Sequence, residues 1–421
     1  MLQRSLKRSV IGSRWRNAIA SWQELDWMLL LLTVGLTVFG GIMIRSAELR
    51  AAETDWWWHW LMGGIGLTVA LFIARARYEV LIHWHWIIYA ITNLSLIAVM
   101  AIGASAKGAQ RWIAIGGFNL QPSEFAKVGV IITLAALLHA KPASTIPAVL
   151  RALAITGVPW ILVFLQPDLG TSLVFGAIVL GMLYWGNANP GWLVLLTSPV
   201  ISAILFNVHI PAWLIWTALM GVIAWRTLPW PKFGTAGAIL GNLVGGEVGH
   251  IIWGVLKDYQ KQRVILFLNP EKDPLGGGYH LIQSRIAIGA GEFWGQGLNK
   301  GTQTQLNFIP EQHTDFIFSA IGEELGFVGG LCLLFVFWLV CLRLVLIAQN
   351  ARDNFGSLLA IGVLSMIVFQ VIVNIGMTIG LAPVTGIPLP WISYGRSAML
   401  TNFLAIGLVE SVAKYRHRLR F

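Results

Sequence analysis

Between Asp258 and Phe318 the chain collects eight side chains able to move a proton or hold a cation: Asp258, Glu271, Asp273, His280, Glu292, Glu311, His313 and Asp315. Asp273 stands apart. In Asp-Pro-Leu-Gly-Gly-Gly-Tyr a proline fixes the chain directly after the carboxylate, and three glycines then let the backbone approach a ligand closely. Two readings fit that turn: a catalytic acid or base, and an Asx-turn acceptor for its own backbone. Glu311, His313 and Asp315 outline part of a metal site, but no histidine pair stands at helical ligand spacing. The run HTDF before an apolar stretch instead predicts Thr314 or Asp315 as an N-cap. GAGEFWGQG, residues 289–297, has the glycines of a phosphate loop without its Lys-Ser/Thr end or its strand-to-helix setting, which argues against nucleotide binding.

A second group lies in GAQRWIAIGGFNLQPSEFAK, residues 108–127. Pro122 suits a first helical turn, Glu124 suits the positive end of the helix dipole, and Glu124 and Lys127 at i, i+3 share one face. The pair is either a capped helix start that lowers the cost of two charges near lipid, or a site where Lys127 and Arg111 meet an anionic lipid headgroup. In QPDLGTS, residues 166–172, Asp168 is placed to cap the next helix.

The elements that hold these groups must be membrane helices. Of 421 residues 56% are hydrophobic and only 11% charged, with 21 Trp, and the mean hydropathy is +0.70. Such a chain is too apolar for a soluble globular protein. The net charge of +10 is dispersed in short clusters at the ends of apolar runs, which speaks for topology and against a nucleic-acid partner. Cys332 and Cys341, nine residues apart in one apolar segment, point to opposite sides of a helix about 13 Å apart along its axis and read as packing residues.

Apolar runs fall near 27–46, 57–74, 80–103, 123–140, 149–165, 169–186, 192–209, 212–226, 234–256, 322–346, 356–380 and 396–413, about twelve spans. Residues 192–226, interrupted by Pro211, are either a full or a re-entrant hairpin. Basic residues after alternate spans place both termini in the cytoplasm. Residues 1–26 are then a basic amphipathic cytoplasmic lead-in, and 414–421 a basic cytoplasmic tail. Helices fill 27–256, with an outer loop at 104–121, and 322–413; the large outer loop is 257–321. There is no internal repeat, and the ionisable groups in spans (Glu124, Lys127, Glu323, Glu324) sit near outer ends, which favours surface chemistry over translocation.

Several segments together resemble one family. GAQRWI with QPSEFAK, QPDLGTS, YQKQRV with NPEKDPLGGGYHLIQS, FIPEQHTDFIFSAIGEELG, and NIGMTIGLAPVTGIPLPWISYG occur in the order found in the SEDS proteins (shape, elongation, division and sporulation). GYHLIQSRIAIG and GTQTQLNFIPEQHTDF are more similar to the elongation branch than to the division branch. The resemblance covers most of the chain. It implies an all-α polytopic membrane protein, a bundle of ten core transmembrane helices here extended by an extra hairpin. It also implies a peptidoglycan glycosyltransferase that polymerises lipid II, the undecaprenyl-diphosphate-linked disaccharide-peptide, within the elongation machinery and beside a class B penicillin-binding protein. By motif the family's essential aspartate falls on Asp273, and its Glu and Lys on Glu124 and Lys127. Arg111, Glu124, Lys127, Arg285, His313 and Arg396 are the expected substrate-binding residues, with a divalent cation, magnesium or manganese, as an alternative clamp on the diphosphate; Glu124 either holds Lys127 in place or binds that cation. Three departures stand out: Asn269 where many elongation members carry Asp, Arg396 in place of a glycine, and GEFWGQG in place of a Gly-Gly-Leu version. A lipid II flippase and a non-enzymatic scaffold, using the small-residue face of 234–246, are the rival expectations.

Overall fold

The computed structural model describes residues 24–49, 55–106, 109–115, 118–255, 261, 265–267, 270–274 and 278–416. Residues 1–23 of the N-terminal lead-in, Asp258, Asn269 and the end of the basic tail lie outside the described residues. Twelve long helices correspond to the twelve apolar runs: α1 (Trp27–Ala47), α2 (Trp57–Arg75), α3 (Leu81–Ile102), α4 (Pro122–Ala140), α5 (Ile146–Leu165), α6 (Leu169–Trp185), α7 (Pro190–Val208), α8 (Ile210–Thr227), α9 (Pro231–Val255), then after the loop α12 (Ile317–Gln349), α13 (Asn354–Ile379) and α14 (Arg396–Tyr415). Inside the loop stand two shorter helices, α10 (Tyr279–Ala290) and α11 (Thr302–Gln305). The protein is a polytopic all-α membrane protein; nine described helices are long and apolar enough to cross a bilayer. The hairpin at 192–226 resolves as two helices of 19 and 18 residues. Each is about 27 Å long or more, enough for a full crossing.

Alternate helices run in opposite directions, so both polar segments fall on one face. The first folds into three short antiparallel strands, β1 (Ala104–Ala106), β2 (Ala109–Ile115) and β3 (Phe118–Leu120), which the sequence did not announce. The main bundle is built on α4 and α13, buried along most of their length and packed on each other and on α6. On the opposite face Asp26 caps α1 and pairs with Arg343 through Nε at 3.1 Å and through a second guanidinium nitrogen, while its own N–H donates to Glu410 at 2.9 Å. Cys332 is exposed and Cys341 half-buried; both are free thiols. Helices α7, α8 and α9 form a satellite, joined to the main bundle through α6 and the partly buried Trp192, Leu193 and Leu196.

Candidate active site

The start of α4 follows the sequence logic. Pro122 opens the helix, and Lys127 Nζ lies 2.9 and 2.8 Å from Glu124 Oε1 and Oε2. Lys127 is 1% and Glu124 3% exposed, so this is a buried ion pair in which each charge is tolerated only because the other is present. An ammonium carries three donors, and two are accounted for here. Both carboxylate oxygens face Nζ, so the ammonium occupies the position a divalent cation would take on Glu124.

Arg111, on β2, turns toward the α5–α6 turn: Nε donates to Gln166 O at 3.2 Å, Nη2 donates to Pro167 O, and Nη1 lies 3.8 Å from Asp168 Oδ1. Asp168 caps α6 through Thr171 N–H at 3.2 Å and Thr171 Oγ1 at 3.0 Å. Gln121 Nε2 bridges the two groups, donating to Asp168 Oδ2 at 3.3 Å and to Ser123 Oγ at 3.2 Å. Glycine is needed at position 170 because a Cβ there would sit 2.6 Å from Thr385 O, where α6 abuts the 380–395 loop.

That loop supplies the third side of the site. His313 Nδ1 is 2.7 Å from Glu48 Oε1 at the end of α1, and its carbonyl accepts Tyr394 N–H at 2.9 Å. Arg396 Nε donates to Tyr394 OH at 3.3 Å, and its guanidinium lies 4.8 Å over the Trp58 ring. Next to it, Ser397 Oγ accepts Gln121 N–H at 3.0 Å and donates to Asn119 O at 3.2 Å. Arg111 is thus linked through Asp168 and Gln121 to Ser397, whose neighbour Arg396 meets His313 through Tyr394; Glu124 and Lys127, just after Gln121 on α4, bond to each other. Buried Asn374, on α13, donates to Asp315 O at 2.9 Å and Ile387 O at 2.8 Å.

Asp273 belongs to the large loop. It follows a single 3-10 turn, Pro270–Lys272, is half-buried, and its carbonyl accepts Gly278 N–H at 3.0 Å just before α10. Ser284 pins α10 to the main bundle through Ser319 Oγ at 2.6 Å and Thr378 O at 2.7 Å. Arg285, also expected at the headgroup, is exposed and donates through Nη2 to Gly380 O at 3.2 Å, at the left-handed C-cap of α13. Basic side chains commonly settle at helix C-termini in this way.

The expected N-cap at HTDF is not formed: Phe316 is the N-cap of α12 without a side-chain bond, and Thr314 Oγ1 turns back to Glu311 O and Oε2, both at 3.2 Å. A backbone turn at 311–314 competes successfully with capping. GEFWGQG is a clasp over a break in α12. At Gly326 (φ 65°) the helix opens, and its neighbours bond the loop: Gln296 N to Glu323 O at 3.0 Å, Gly297 N to Glu324 O at 2.9 Å, Phe327 N to Glu292 O at 3.0 Å. Those loop N–H groups are consumed by α12, which accords with the rejection of a phosphate loop. Glu323, fully buried, accepts Gln303 and Thr304 N–H at 2.7 and 2.9 Å and so caps α11.

Below Glu124 an apolar groove of about 450 Å³ opens between α2, α3, α4 and α14. Phe125, next in sequence to Glu124, lines its near end, with Gly129, Ile88 and Leu404 beyond and Arg77 and Ser411 toward the opposite face. The groove takes Phe125, Val128, Gly129 and Ile132 from one face of α4, while Glu124 and Lys127 are buried on other faces of the same helix; its apolar walls suit a hydrocarbon chain.

Fold and site thus define a polytopic helical membrane protein with a polar cup on one face and a lateral apolar groove beneath it. Residues 24–418 match the family described as Cell cycle protein, that of FtsW, RodA and SpoVE, and the chain belongs to this family, the SEDS proteins. It is 36% identical over 406 residues to the peptidoglycan glycosyltransferase MrdB of Escherichia coli K12, covering 94% of this chain and 95% of that one. It is 33% identical over 425 residues to the peptidoglycan glycosyltransferase RodA of Treponema pallidum, covering 92% and 97%. Among solved structures it resembles a chain from a study of how a peptidoglycan synthase complex coordinates polymerization and crosslinking (TM-score 0.70, 28% identity, 94% and 99% covered). It shares its fold with the rod shape determining protein RodA of Thermus thermophilus (TM-score 0.61, 24% identity, 94% and 98% covered).

Proposed function

We propose that this protein is a peptidoglycan glycosyltransferase that polymerises lipid II at the outer face of the cytoplasmic membrane during cell elongation. Membership of the family and the names of its relatives support the reaction. The observation that carries the substrate class is the apolar groove of about 450 Å³ between α2, α3, α4 and α14, on a helix that also holds the buried Glu124–Lys127 pair. In this reading the undecaprenyl tail lies in that groove and the diphosphate is met by positive charge from Lys127, Arg111, Arg396 and His313, the last paired with Glu48.

In the reaction Asp273 takes the proton of the acceptor GlcNAc 4-hydroxyl. The oxygen attacks the donor's anomeric carbon, and the bond to the lipid diphosphate breaks with its electron pair on the leaving oxygen. Fixed positive charge is worth most there, because the negative charge grows on that group in the transition state. A magnesium or manganese ion beside the diphosphate would supply the same charge neutralisation; among the described residues no three His, Cys, Asp or Glu side chains gather to hold one. A class B penicillin-binding protein is the expected partner, in keeping with the synthase complex that the fold resembles. Both termini then face the cytoplasm.

The test is conversion of labelled lipid II in detergent by the protein purified with its class B partner. A ladder of glycan, with one undecaprenyl diphosphate released per bond, is expected. A flippase has no compartments to work between in micelles and a scaffold no chemistry, so either would give no ladder.

A further inference from the structure

Glu48 stands at the unfavourable end of a helix. It is the C-cap of α1, where the peptide dipoles present negative charge and a cation is the stabilising occupant, yet it is a carboxylate with only 5% of its surface exposed. The basic side chain of the last turn, Arg45, is turned to the Trp56 ring. Across the fold Glu48 meets His313, whose Nδ1 lies 2.7 Å from Oε1. A buried acid at the negative end of a helix does little for stability by itself, so the pair calls for another reason.

Both partners are held in place. The last carbonyls of α1 are taken up by glutamines of the large loop, Ser46 O by Gln305 Nε2 at 2.9 Å and Ala47 O by Gln312 Nε2 at 2.7 Å, and Ser46 Oγ donates to Glu324 Oε1 at 2.5 Å. The carbonyl of His313 accepts Tyr394 N–H at 2.9 Å, and its ring meets the Tyr394 ring edge to face with centroids 5.8 Å apart. An ionised carboxylate only accepts, so Nδ1 carries the hydrogen of the bond to Glu48. Among the described residues Nε2 has no partner, and it is not sealed inside the protein. An imidazole oriented through one nitrogen by a buried carboxylate, with the other nitrogen open, is an arrangement that moves protons.

We propose that His313 is the proton donor to the departing lipid diphosphate and that Glu48 is its positioning residue. The proposal rests on the glycosyltransferase reading and deepens it. As the bond from the anomeric carbon to the diphosphate oxygen breaks, its electron pair stays on that oxygen, and the Nε2 proton of the His313 imidazolium passes to it. The ring is left neutral, with Nδ1–H still on Glu48. Asp273 has taken the proton of the acceptor hydroxyl, so one proton enters the protein and one leaves with the diphosphate; solvent then returns a proton to His313 and takes one from Asp273.

The experiment follows polymer from labelled lipid II by wild type, Glu48→Gln and His313→Ala, each purified with the class B partner, over a range of lipid II concentrations. General acid catalysis is worth about 10²- to 10⁴-fold, so kcat of His313→Ala should fall by about that factor with KM within about threefold. Glu48→Gln keeps the volume and an acceptor but loses the charge, and its kcat should fall about tenfold or more with KM again little changed. Imidazole added to His313→Ala should restore kcat about tenfold, whereas guanidinium, a cation that holds its protons, should not. In the double variant Glu48→Gln, His313→Ala the effect of imidazole should largely disappear, a dependence that a packing role does not produce. Wild-type kcat in either single variant, equal rescue by guanidinium, rescue that ignores Glu48, or no rescue at all overturns the proposal. Should His313→Ala fail to assemble with its partner, the split between kcat and KM in Glu48→Gln decides. A wild type that makes no polymer removes the enzymatic reading and the role of His313 with it; a polymerising wild type with indifferent variants removes only the latter.

Discussion

Replacing Lys127 by Met removes the ammonium and leaves the Glu124 carboxylate buried against α4. At an effective dielectric of about 20, unit charges 2.8 Å apart attract by about 6 kcal/mol, which roughly offsets a desolvation cost of several kcal/mol for each ion. The intact pair is therefore near neutral for stability, while its half is not. Lys127→Met should lower the free energy of unfolding by about 3 to 5 kcal/mol, and Glu124→Gln by a similar amount. The double variant Glu124→Gln, Lys127→Met removes both charges and should recover most of that loss. Activity should separate from stability: without the ammonium at the departing diphosphate, polymerisation in the double variant should remain about 10²- to 10³-fold down. Denaturant unfolding in detergent followed by tryptophan fluorescence, beside the lipid II polymerisation assay, reads both. A stable double variant that polymerises like wild type would show that the pair only holds the helix start together. A double variant no more stable than either single one would refute the charge balance itself.

Three further outcomes follow from the same geometry. Leu404→Trp, which fills the groove between α3, α4 and α14, should raise KM for lipid II about tenfold with little change in kcat, measured by initial rates. Arg396→Gly loses the stacking on Trp58 and the bond to Tyr394. It should cost about 1 kcal/mol of stability and raise KM while kcat at saturation stays within about threefold. Asp168→Ala removes the α6 cap and the partner of Arg111; it should destabilise by about 1 kcal/mol or more in the same unfolding assay, and Asp168→Asn, which keeps an acceptor, by less.

What was legible in the sequence was local. Hydropathy marks all twelve helices because a span must satisfy its backbone within itself, and Glu124–Lys127 and the Asp168 cap are visible at fixed short spacings. The rest of the site is assembled across the fold. Nothing in the residues around Glu48 announces His313 as its partner, and nothing around Arg285 announces its bond to Gly380. Trp58, Tyr394 and Ser397 were missed for the same reason; the one available signal was an arginine where the family motif has glycine. The strands at 104–120 escaped because three-residue ladders carry no alternation, and α11 because its cap is the distant Glu323.

The central claim is that Asp273 is the base of a glycosyl transfer. The most direct test is polymer formed from labelled lipid II in detergent by wild type and Asp273→Asn, each purified with the class B partner and shown to bind lipid II. The account predicts a glycan ladder from wild type and a rate lower by about 10² to 10⁴ in Asp273→Asn with binding intact. Equal ladders from both proteins would contradict it.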